Sequence, residues 1–327
     1  MITIGTEKKI VFLNPHKPSP VAQATVNVVG VFSIKKNIDE QKINKITDVK
    51  GISESDDIYN ILKAVFNGGA QEVLVFGKVV EDSAYKDLFD SVKNDWFGTV
   101  TDCNDFEELK KISSELGARE KMLFAQADTE EDITRVETKV KAIREDTTAV
   151  FFSKNDKTLA GAVAGYAISQ FPGATLIANK LINGSIDSGM NGAEQSILDT
   201  LNCNYNAPMK GQLGVANGVT VTKDSIDFIH CIKALKFRLE EDITLWLKST
   251  PKPTFYDMST LKSVILTRCK QFENKGCLAQ DKTEIFFPPL EEIPKNDILN
   301  GILTGVNITV YYTFGIKEIR ADLYFAV

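Results

Sequence analysis

The clearest pattern of hydrophobic and polar positions lies at the end of the chain, in residues 305–327. Every second residue is apolar across 307–314 and again across 319–327, which predicts two half-buried β-strands with a turn at 315–318. A two-stranded ribbon alone is marginally stable in water. The further strands that it needs must come either from the rest of this chain or from another copy of it.

The other end of the chain has a related composition. Ile2 and Ile4 alternate with polar neighbours, and residues 10–13 are a second short strand candidate. Residues 14–20 are rich in proline, which lacks an amide donor and therefore does not continue a strand. An apolar strand on a semi-rigid linker predicts an arm that docks elsewhere, with a frayed terminus as the alternative.

Helix and strand patterns alternate from residue 25 to residue 153. The nearly continuous β-branched run at 25–33 is typical of a strand that is covered on both faces. Four helix–strand units follow, and such alternation predicts a mainly parallel sheet with helices on its faces. The strands of these four units are expected at 72–77, 98–101, 122–127 and 149–153.

The second half of the chain is organised differently. A small-residue helix at 158–170 should allow the close approach of another backbone and is predicted to lie between domains, and 184–206 is polar and rich in predicted loops. The strongest amphipathic helix spans 224–247. Helices at 260–272 and 296–303 precede the terminal strands. Helices followed by strands predict an α+β domain after the α/β domain.

Bulk composition excludes several classes of protein. The 327 residues are 43% hydrophobic and 25% charged, as in an ordinary globular protein large enough for two domains. A net charge of −6 argues against nucleic-acid binding. No apolar run approaches the ~20 residues of a membrane helix, and the start of the chain lacks a secretory signal pattern. Five cysteines without a C-x-x-C pair indicate free thiols in a reducing cytoplasm.

Few residues are suited to catalysis or to ligand binding. The chain has two histidines, His16 in the proline-rich linker and His230 in a predicted helix. Two histidines in these positions do not indicate a nucleophilic triad, and the His and Cys residues lack the spacing of a metal site. The phosphate-binding glycine motifs are absent from the sequence. We expect no catalytic residue, no cofactor and no metal.

Polar residues at the carboxyl ends of the predicted strands keep an enzymatic alternative open, because ligands of open α/β sheets bind there. These residues are Asp102, Cys103, Gln126, Asp128 and residues 153–156. Helix capping explains several of them more simply. Asp102 or Asn104 is placed to cap one helix, and Thr129 with Asp132 resembles a capping box. The alternative function is a cytoplasmic α/β enzyme or small-ligand binder with its site at these ends.

Three stretches of the second half, taken in order, point to a known family. They are residues 162–167 leading to 172–175 and 180–181; residues 204–205, 214, 218–220 and 225–229 before the long helix; and residues 297–305 before the terminal strands. Together they resemble the tail sheath proteins of contractile phages and of related contractile injection particles such as phage-tail-like bacteriocins. The chain departs from the family in carrying no arginine shortly after Asp297.

The resemblance implies a structural subunit, not an enzyme, that polymerises into a helical contractile tube around an inner tail tube and drives that tube through a target envelope. It implies an N-terminal arm and linker at 1–23, an outer α/β domain with a mainly parallel sheet at 24–205, an inner α+β domain at 206–305 and a C-terminal strand arm at 306–327. Arm strands would be exchanged between subunits, as in β-strand addition. A non-contractile scaffold or shell subunit is a further alternative with the same arms.

The resemblance also implies particular contacts and partners. The residues expected in the inter-subunit arms are Ile2, Ile4, Ile308, Val310, Tyr312, Phe314, Ile319, Leu323 and Phe325. The residues expected to contact the inner tube are Lys295, Asn296, Asp297 and Asn300, at the 296–303 helix, with the 260–272 helix as the alternative tube-facing element. The expected partners are other copies of the chain, the tube protein, and baseplate and tail terminator proteins, without nucleic acid or membrane insertion. The protein would be made in a host bacterial cytoplasm and assembled into a phage tail or tail-like particle.

Overall fold

The chain divides into two units. The computed structural model describes residues 26–79, 85–127, 133, 136–209, 211–252 and 254–315. Of these, the larger unit contains 26–171, 175–229 and 314–315, and the smaller unit contains 172–174 and 230–313. The larger unit thus continues past residues 205 and 206, where the sequence predicts a domain boundary. The predicted outer and inner domains of an assembled particle stay a prediction.

A six-stranded sheet forms the centre of the larger unit. Its strands are β1 (Val29–Ser33), β2 (Ile38–Ile43), β3 (Val73–Gly77), β4 (Gly98–Thr101), β5 (Met122–Gln126) and β6 (Thr148–Phe151). They lie in the order β2-β3-β1-β4-β5-β6, and every pairing is parallel except that of β2 with β3. The predicted, mainly parallel sheet is confirmed. The edge strand β2 was not predicted, because four of its six residues are charged or polar and only its two ends are buried.

Helices cover this sheet. They are α1 (Asp57–Gly68), α2 (Tyr85–Asp90), α3 (Phe106–Ala118), α4 (Glu137–Ala142), α5 (Leu159–Ser169) and α6 (Gly192–Thr200). The backbones of α1 and α5 approach closely, because a Cβ atom at Gly165 would lie 2.0 Å from the carbonyl oxygen of Val65. The predicted role of the small residues in α5 is therefore correct. Its predicted place between domains is wrong, since α5 and its contacts lie within the larger unit.

The region predicted as loops at 184–206 contains helix α6. Asn191 and Glu194 form a capping box, in which the Asn191 side chain accepts hydrogen bonds from the backbone of Ala193 and Glu194. A hairpin of β7 (Tyr205–Met209) and β8 (Gln212–Ala216) follows. The buried side chain of Asn204 donates to the carbonyl oxygens of Val150 and Val219, at 3.1 and 2.7 Å. The Asn204 side-chain amide therefore connects the segment after α6 to β6.

The described part of the smaller unit contains two long helices, a short β-ribbon and a short helix. The last elements of the chain are α7 (Ile226–Leu247), of which the smaller unit contains the part from His230, α8 (Phe255–Asn274), β9 (Glu284–Phe286), α9 (Lys295–Leu299) and β10 (Asn307–Thr309). The three predicted helices are confirmed with shifted ends. Helix α8 begins earlier than predicted because the Thr254 hydroxyl accepts a hydrogen bond from the Asp257 amide and caps it.

Candidate assembly surfaces

The C-terminal strand pairs with its own chain. Strand β10 runs antiparallel to β9, with Ile308 opposite Ile285. The pairing continues beyond β10, where the Thr313 amide donates to the carbonyl oxygen of Cys277 at 2.9 Å and the Ala279 amide to that of Tyr311 at 2.8 Å. Residues 307–313 therefore run antiparallel to, and beside, residues 277–286 of the same molecule.

This pairing places four of the predicted arm residues, Ile308, Val310, Tyr312 and Phe314, in or next to a strand that has a partner within the chain. Val310 is 4% exposed, and the Tyr312 hydroxyl lies 3.5 Å from the carbonyl oxygen of Gly173. Ile308 is half-buried. Phe314 is 56% exposed, and its ring centroid lies 5.6 Å from that of Phe228. Residues 307–313 are held in the single chain because their backbone pairs with β9 and, beyond a turn at 280–281, with residues 277–279.

The remaining predicted arm residues lie outside the described residues. They are Ile2, Ile4, Ile319, Leu323 and Phe325. Contacts between subunits therefore stay a prediction for all nine arm residues. What the structure adds is that the first half of the C-terminal segment already has a partner strand within its own molecule.

The ribbon of β9 and β10 is open. Within the described part of the chain it has two strands, so each strand has one edge without a β-partner. Phe286 on β9 is 54% exposed and Ile285 is half-buried. An uncovered edge presents backbone amide and carbonyl groups to which another strand can pair. In other proteins, open edges of this kind accept an added strand.

The residues predicted to contact an inner tube surround helix α9. Lys295, Asn296 and Asn300 are exposed, and the Asn300 amide donates to the carbonyl oxygen of Asn296 at 3.0 Å. Asp297 differs, because its carboxylate accepts from the Thr304 hydroxyl at 3.1 Å and is half-buried. The structure therefore places three of the four on one exposed turn, and it turns the Asp297 carboxylate toward the following loop.

Sequence reasoning missed the apolar side of this helix. Leu299 is 84% exposed and Ile302 is 43% exposed. The sequence contains a signal for this apolar side, because positions 299 and 302 are apolar although the helix is short and the segment around it is charged. An exposed apolar cluster of this kind marks an interaction surface more reliably than single polar residues do.

Asp102 illustrates the enzymatic alternative at the ends of the parallel strands. Its carboxylate accepts hydrogen bonds from the Ser33 hydroxyl and, at 3.1 Å, from the Ile34 amide. Burial raises the pKa of this carboxyl group. The predicted capping role of Asp102 or Asn104 is wrong, because Asp105 caps α3 by accepting from the Glu108 amide at 3.0 Å. Asp102 joins the ends of β1 and β4 instead.

The other polar residues at these strand ends also have partners within the fold. The Gln126 amide bonds to Ala160 and Phe151, Lys154 pairs with Glu194 at 2.6 Å, Asn155 donates to the carbonyl of Asp187, and Ser153 accepts from the Asp156 amide. Asp128, Thr129 and Asp132 lie outside the described residues. Structural hydrogen bonds thus account for the described members of this group.

The cysteines carry little reactivity in this fold. All five are buried and free, as the sequence indicates. Burial raises the pKa of Cys103 to about 12 and that of Cys269 to about 11, so both thiols stay protonated near neutral pH. Among the described residues, no group of three or more His, Cys, Asp or Glu side chains could hold a metal ion.

Comparison with known proteins identifies the fold. No family model matches the sequence, and no curated protein matches it. Among solved structures, the anti-feeding prophage baseplate contains a chain of TM-score 0.69 and 14% identity, with 99% of this chain and 100% of that chain covered. The contracted helical sheath of the anti-feeding prophage gives a TM-score of 0.68 at 13% identity, with 98% and 99% covered. The chain has a contractile tail sheath-like fold.

A third structure agrees with this assignment. The sheath tail protein of Desulfitobacterium hafniense gives a TM-score of 0.60 at 8% identity, with 84% of this chain and 93% of that chain covered. All three solved structures are of sheath or baseplate components. No helix in the described part of the chain has both the length and the apolar character needed to cross a membrane.

Proposed function

We propose that this protein is a sheath subunit that polymerises into a helical contractile tube around an inner tail tube. The observation that carries the proposal is the agreement in fold with the contracted sheath of the anti-feeding prophage over 98% of this chain and 99% of that one. The correspondence extends over nearly all of both chains and includes both units of this one. A structural role as a sheath subunit follows from it.

The open ribbon of β9 and β10 supports a link between subunits by strand exchange. Because residues 307–313 are paired within the molecule, we place the exchanged C-terminal strand in residues 316–327. Those residues span about 40 Å when extended, at roughly 3.3 Å per residue, which is enough to reach a neighbour. The apolar alternation of 319–327 suits a strand with one face buried.

The N-terminal segment would supply a second exchanged strand. Ile2 and Ile4 alternate with polar neighbours, and the proline-rich linker at 14–20 would hold that strand away from the body. Heterologous contacts of this kind produce a helical tube when the rotation between subunits does not close a ring. Contraction is then a rigid-body change between two packings, with the arms keeping the subunits linked.

The partners follow from the same role. The sheath would contact its own copies, the inner tail tube protein, and baseplate and tail terminator proteins, and it would be made in a bacterial cytoplasm. For the tube contact, the exposed turn with Lys295, Asn296 and Asn300 is the predicted surface. Asp297 has a weaker claim, since its carboxylate bonds to Thr304 of its own chain.

Two triple variants test strand exchange. The first replaces the apolar face of the terminal segment, with Ile319→Ser, Leu323→Ser and Phe325→Ser. The matched control replaces the other face, with Arg320→Ser, Asp322→Ser and Tyr324→Ser. Tube formation is followed by negative-stain microscopy and sedimentation of the full chain, co-expressed with its tube and baseplate proteins. Thermal melting of the unassembled protein shows that both variants fold.

The expected result is that the first variant forms no tubes and the control forms tubes of normal length. Normal tubes from the first variant would contradict strand exchange through this segment, while the sheath assignment would stand. Failure of the wild-type chain to form tubes with its tube and baseplate partners would contradict the sheath assignment itself.

A further inference from the structure

Four exposed apolar side chains that the proposed strand exchange does not use flank the turn between α7 and α8. They are Leu245, Leu247, Phe255 and Tyr256, which we call the aromatic tip. Phe255 is 89% exposed and Tyr256 is 77% exposed. Two adjacent aromatic side chains at this exposure bury almost no apolar surface in the single chain. Large aromatic side chains supply much of the binding energy in protein interfaces.

The residues around the aromatic tip carry a net positive charge. Residues 245–262 contain Lys248, Lys252 and Lys262 and one acidic residue, Asp257. The Asp257 carboxylate accepts from the Lys252 amide at 2.9 Å and from the Thr254 hydroxyl at 3.0 Å, so it is engaged in shaping the turn. Across the described residues, none of the three lysine ammonium groups forms an ion pair. The tip therefore presents apolar side chains next to unneutralised cations.

A second surface of the smaller unit has the opposite charge. Around α9, the exposed apolar residues Ile298, Leu299 and Ile302 form what we call the α9 patch. The preceding turn carries Glu291 and Glu292, both exposed and without an ion pair in the described part of the chain. Residues 290–302 have three carboxylates and one lysine. This surface combines apolar side chains with a negative charge.

We propose that the aromatic tip of one subunit docks on the α9 patch of an adjacent copy. The inference rests on the proposed function, since it describes a contact within the sheath. Both surfaces are exposed in the same chain, so neither covers the other within one molecule. Two different, complementary surfaces on one chain make a head-to-tail contact, which is the kind that extends into a helical assembly.

Each part of this contact has its own physical role. Phe255 and Tyr256 of one copy cover Leu299 and Ile302 of the next, which removes apolar surface from water. Lys248 and Lys252 face Glu291 and Glu292, which fixes the orientation of the tip on the patch. The charge contribution is screened by salt, with a Debye length of about 10 Å at 0.1 M. The contact therefore weakens as ionic strength rises.

A charge-exchange experiment tests the contact in the full chain. Lys248→Glu with Lys252→Glu reverses the tip, and Glu291→Lys with Glu292→Lys reverses the patch. Each pair should raise the protein concentration needed for tube assembly by about tenfold, and the quadruple variant should return it to near the wild-type value. Lys157→Glu with Lys180→Glu, two exposed lysines of the larger unit, makes the same change in net charge and should leave assembly unchanged.

Cross-linking tests the contact independently of tube growth. A Phe255→Cys protein mixed with a Leu299→Cys protein should form a heterodimer disulfide under mild oxidation at high protein concentration. Leu181→Cys in place of Leu299→Cys is the matched control, because Leu181 is 66% exposed but belongs to the larger unit. The expected yield is at least about tenfold above that of the control.

The outcomes separate this inference from the proposed function. Tubes that assemble normally from either reversed pair, or equal cross-linking of the two cysteine mixtures, would overturn the docking contact and leave the sheath assignment intact. A cross-link from Phe255→Cys to the inner tube protein, and not to Leu299→Cys, would also overturn it. Restored assembly in the quadruple variant together with the selective disulfide is the result that the proposal expects.

Discussion

The guanidinium group of Arg268 on α8 meets the carboxylate of Asp242 on α7 through two hydrogen bonds, from Nε to Oδ2 at 2.7 Å and from Nη2 to Oδ1 at 2.8 Å. The two side chains are 23% and 22% exposed, so solvent screens the pair only in part. A planar guanidinium matches a carboxylate in this geometry better than any other side chain does. The pair therefore fixes the two long helices of the smaller unit against each other.

Replacing Arg268 should destabilise the smaller unit. We expect Arg268→Ala to lower the free energy of unfolding by about 1–2 kcal/mol, since it leaves Asp242 without its partner. Arg268→Lys should recover less than half of this loss, because an ammonium group cannot form both bonds at once. Urea denaturation followed by circular dichroism measures both values. A lysine variant as stable as the wild type would show that the two-bond geometry contributes nothing.

Gly30 on β1 is a position at which a larger side chain should destabilise the protein. A Cβ atom there would lie 2.5 Å from Cδ1 of Trp96, which is 1% exposed and donates to the Thr99 hydroxyl at 3.1 Å. Gly30→Ala should therefore cost about 1–3 kcal/mol in the free energy of unfolding through overpacking.

Gly192 is the matched control for Gly30. It is the first residue of α6, and a Cβ atom there would meet nothing within 4 Å. Gly192→Ala should leave stability unchanged or raise it by up to about 1 kcal/mol, because alanine favours a helix. Equal melting temperatures for the two alanine variants would contradict the close approach of Trp96 to β1.

Part of this fold could be predicted because its hydrophobic pattern is local. The buried strands β1, β3, β5 and β6 are largely apolar, and the amphipathic α7 has a helical period. The polar edge strand β2 could not be found in this way, since its place depends on backbone pairing with β3 and not on its side chains. The sequence predicts a helix cap at Asp102 or Asn104, because nothing in the sequence shows that Ser33 lies beside the Asp102 carboxylate.

Lys121 should make stability depend on pH. Its side chain is buried, donates to the carbonyl oxygen of Trp96 and lies 4.6 Å from the centre of that ring. Burial lowers the pKa of Lys121 from 10.5 to about 7. Above pH 7 the unfolded chain therefore binds more protons than the folded chain. The contribution of Lys121 to the free energy of unfolding should then rise with pH, by about 1 kcal/mol per unit.

Lys121→Met is the variant that isolates this effect. It removes the titrating group and retains a long apolar side chain at the same place. Between pH 7 and 8.5 its free energy of unfolding should rise less with pH than that of the wild type, because the ionisation of the five cysteines in the unfolded chain, at a pKa of about 8.5, is common to both proteins. Equal slopes for the two proteins would show that Lys121 titrates at its ordinary value.

Variants of Asp102 test whether its carboxylate has a structural role. Asp102→Ala leaves the Ser33 hydroxyl and the Ile34 amide without their acceptor at a buried site and should cost about 2 kcal/mol in the free energy of unfolding. Asp102→Asn retains a hydrogen-bonding oxygen and should cost clearly less. Thermal melting of both variants decides. An alanine variant as stable as the wild type would remove the structural explanation for this carboxylate.

The candidate site could be predicted only in part for a related reason. The alternation of 307–314 correctly predicted a strand, but alternation does not identify the partner of a strand. The structure pairs it with residues 277–286, whose strand character is weak because β9 has only three residues before Pro288. The aromatic tip was also missed, since Phe255 and Tyr256 in a sequence do not reveal that a helix begins on the solvent side.

The most direct test of the account is a cryo-electron microscopy map of tubes assembled from the full chain with its tube partner, at a resolution that separates β-strands. We predict that the β9–β10 ribbon of each subunit is extended by at least one strand belonging to a neighbouring copy. Tubes in which every ribbon keeps only the two strands of its own chain, with residues 316–327 folded on their own molecule, would contradict strand exchange as the link within the sheath.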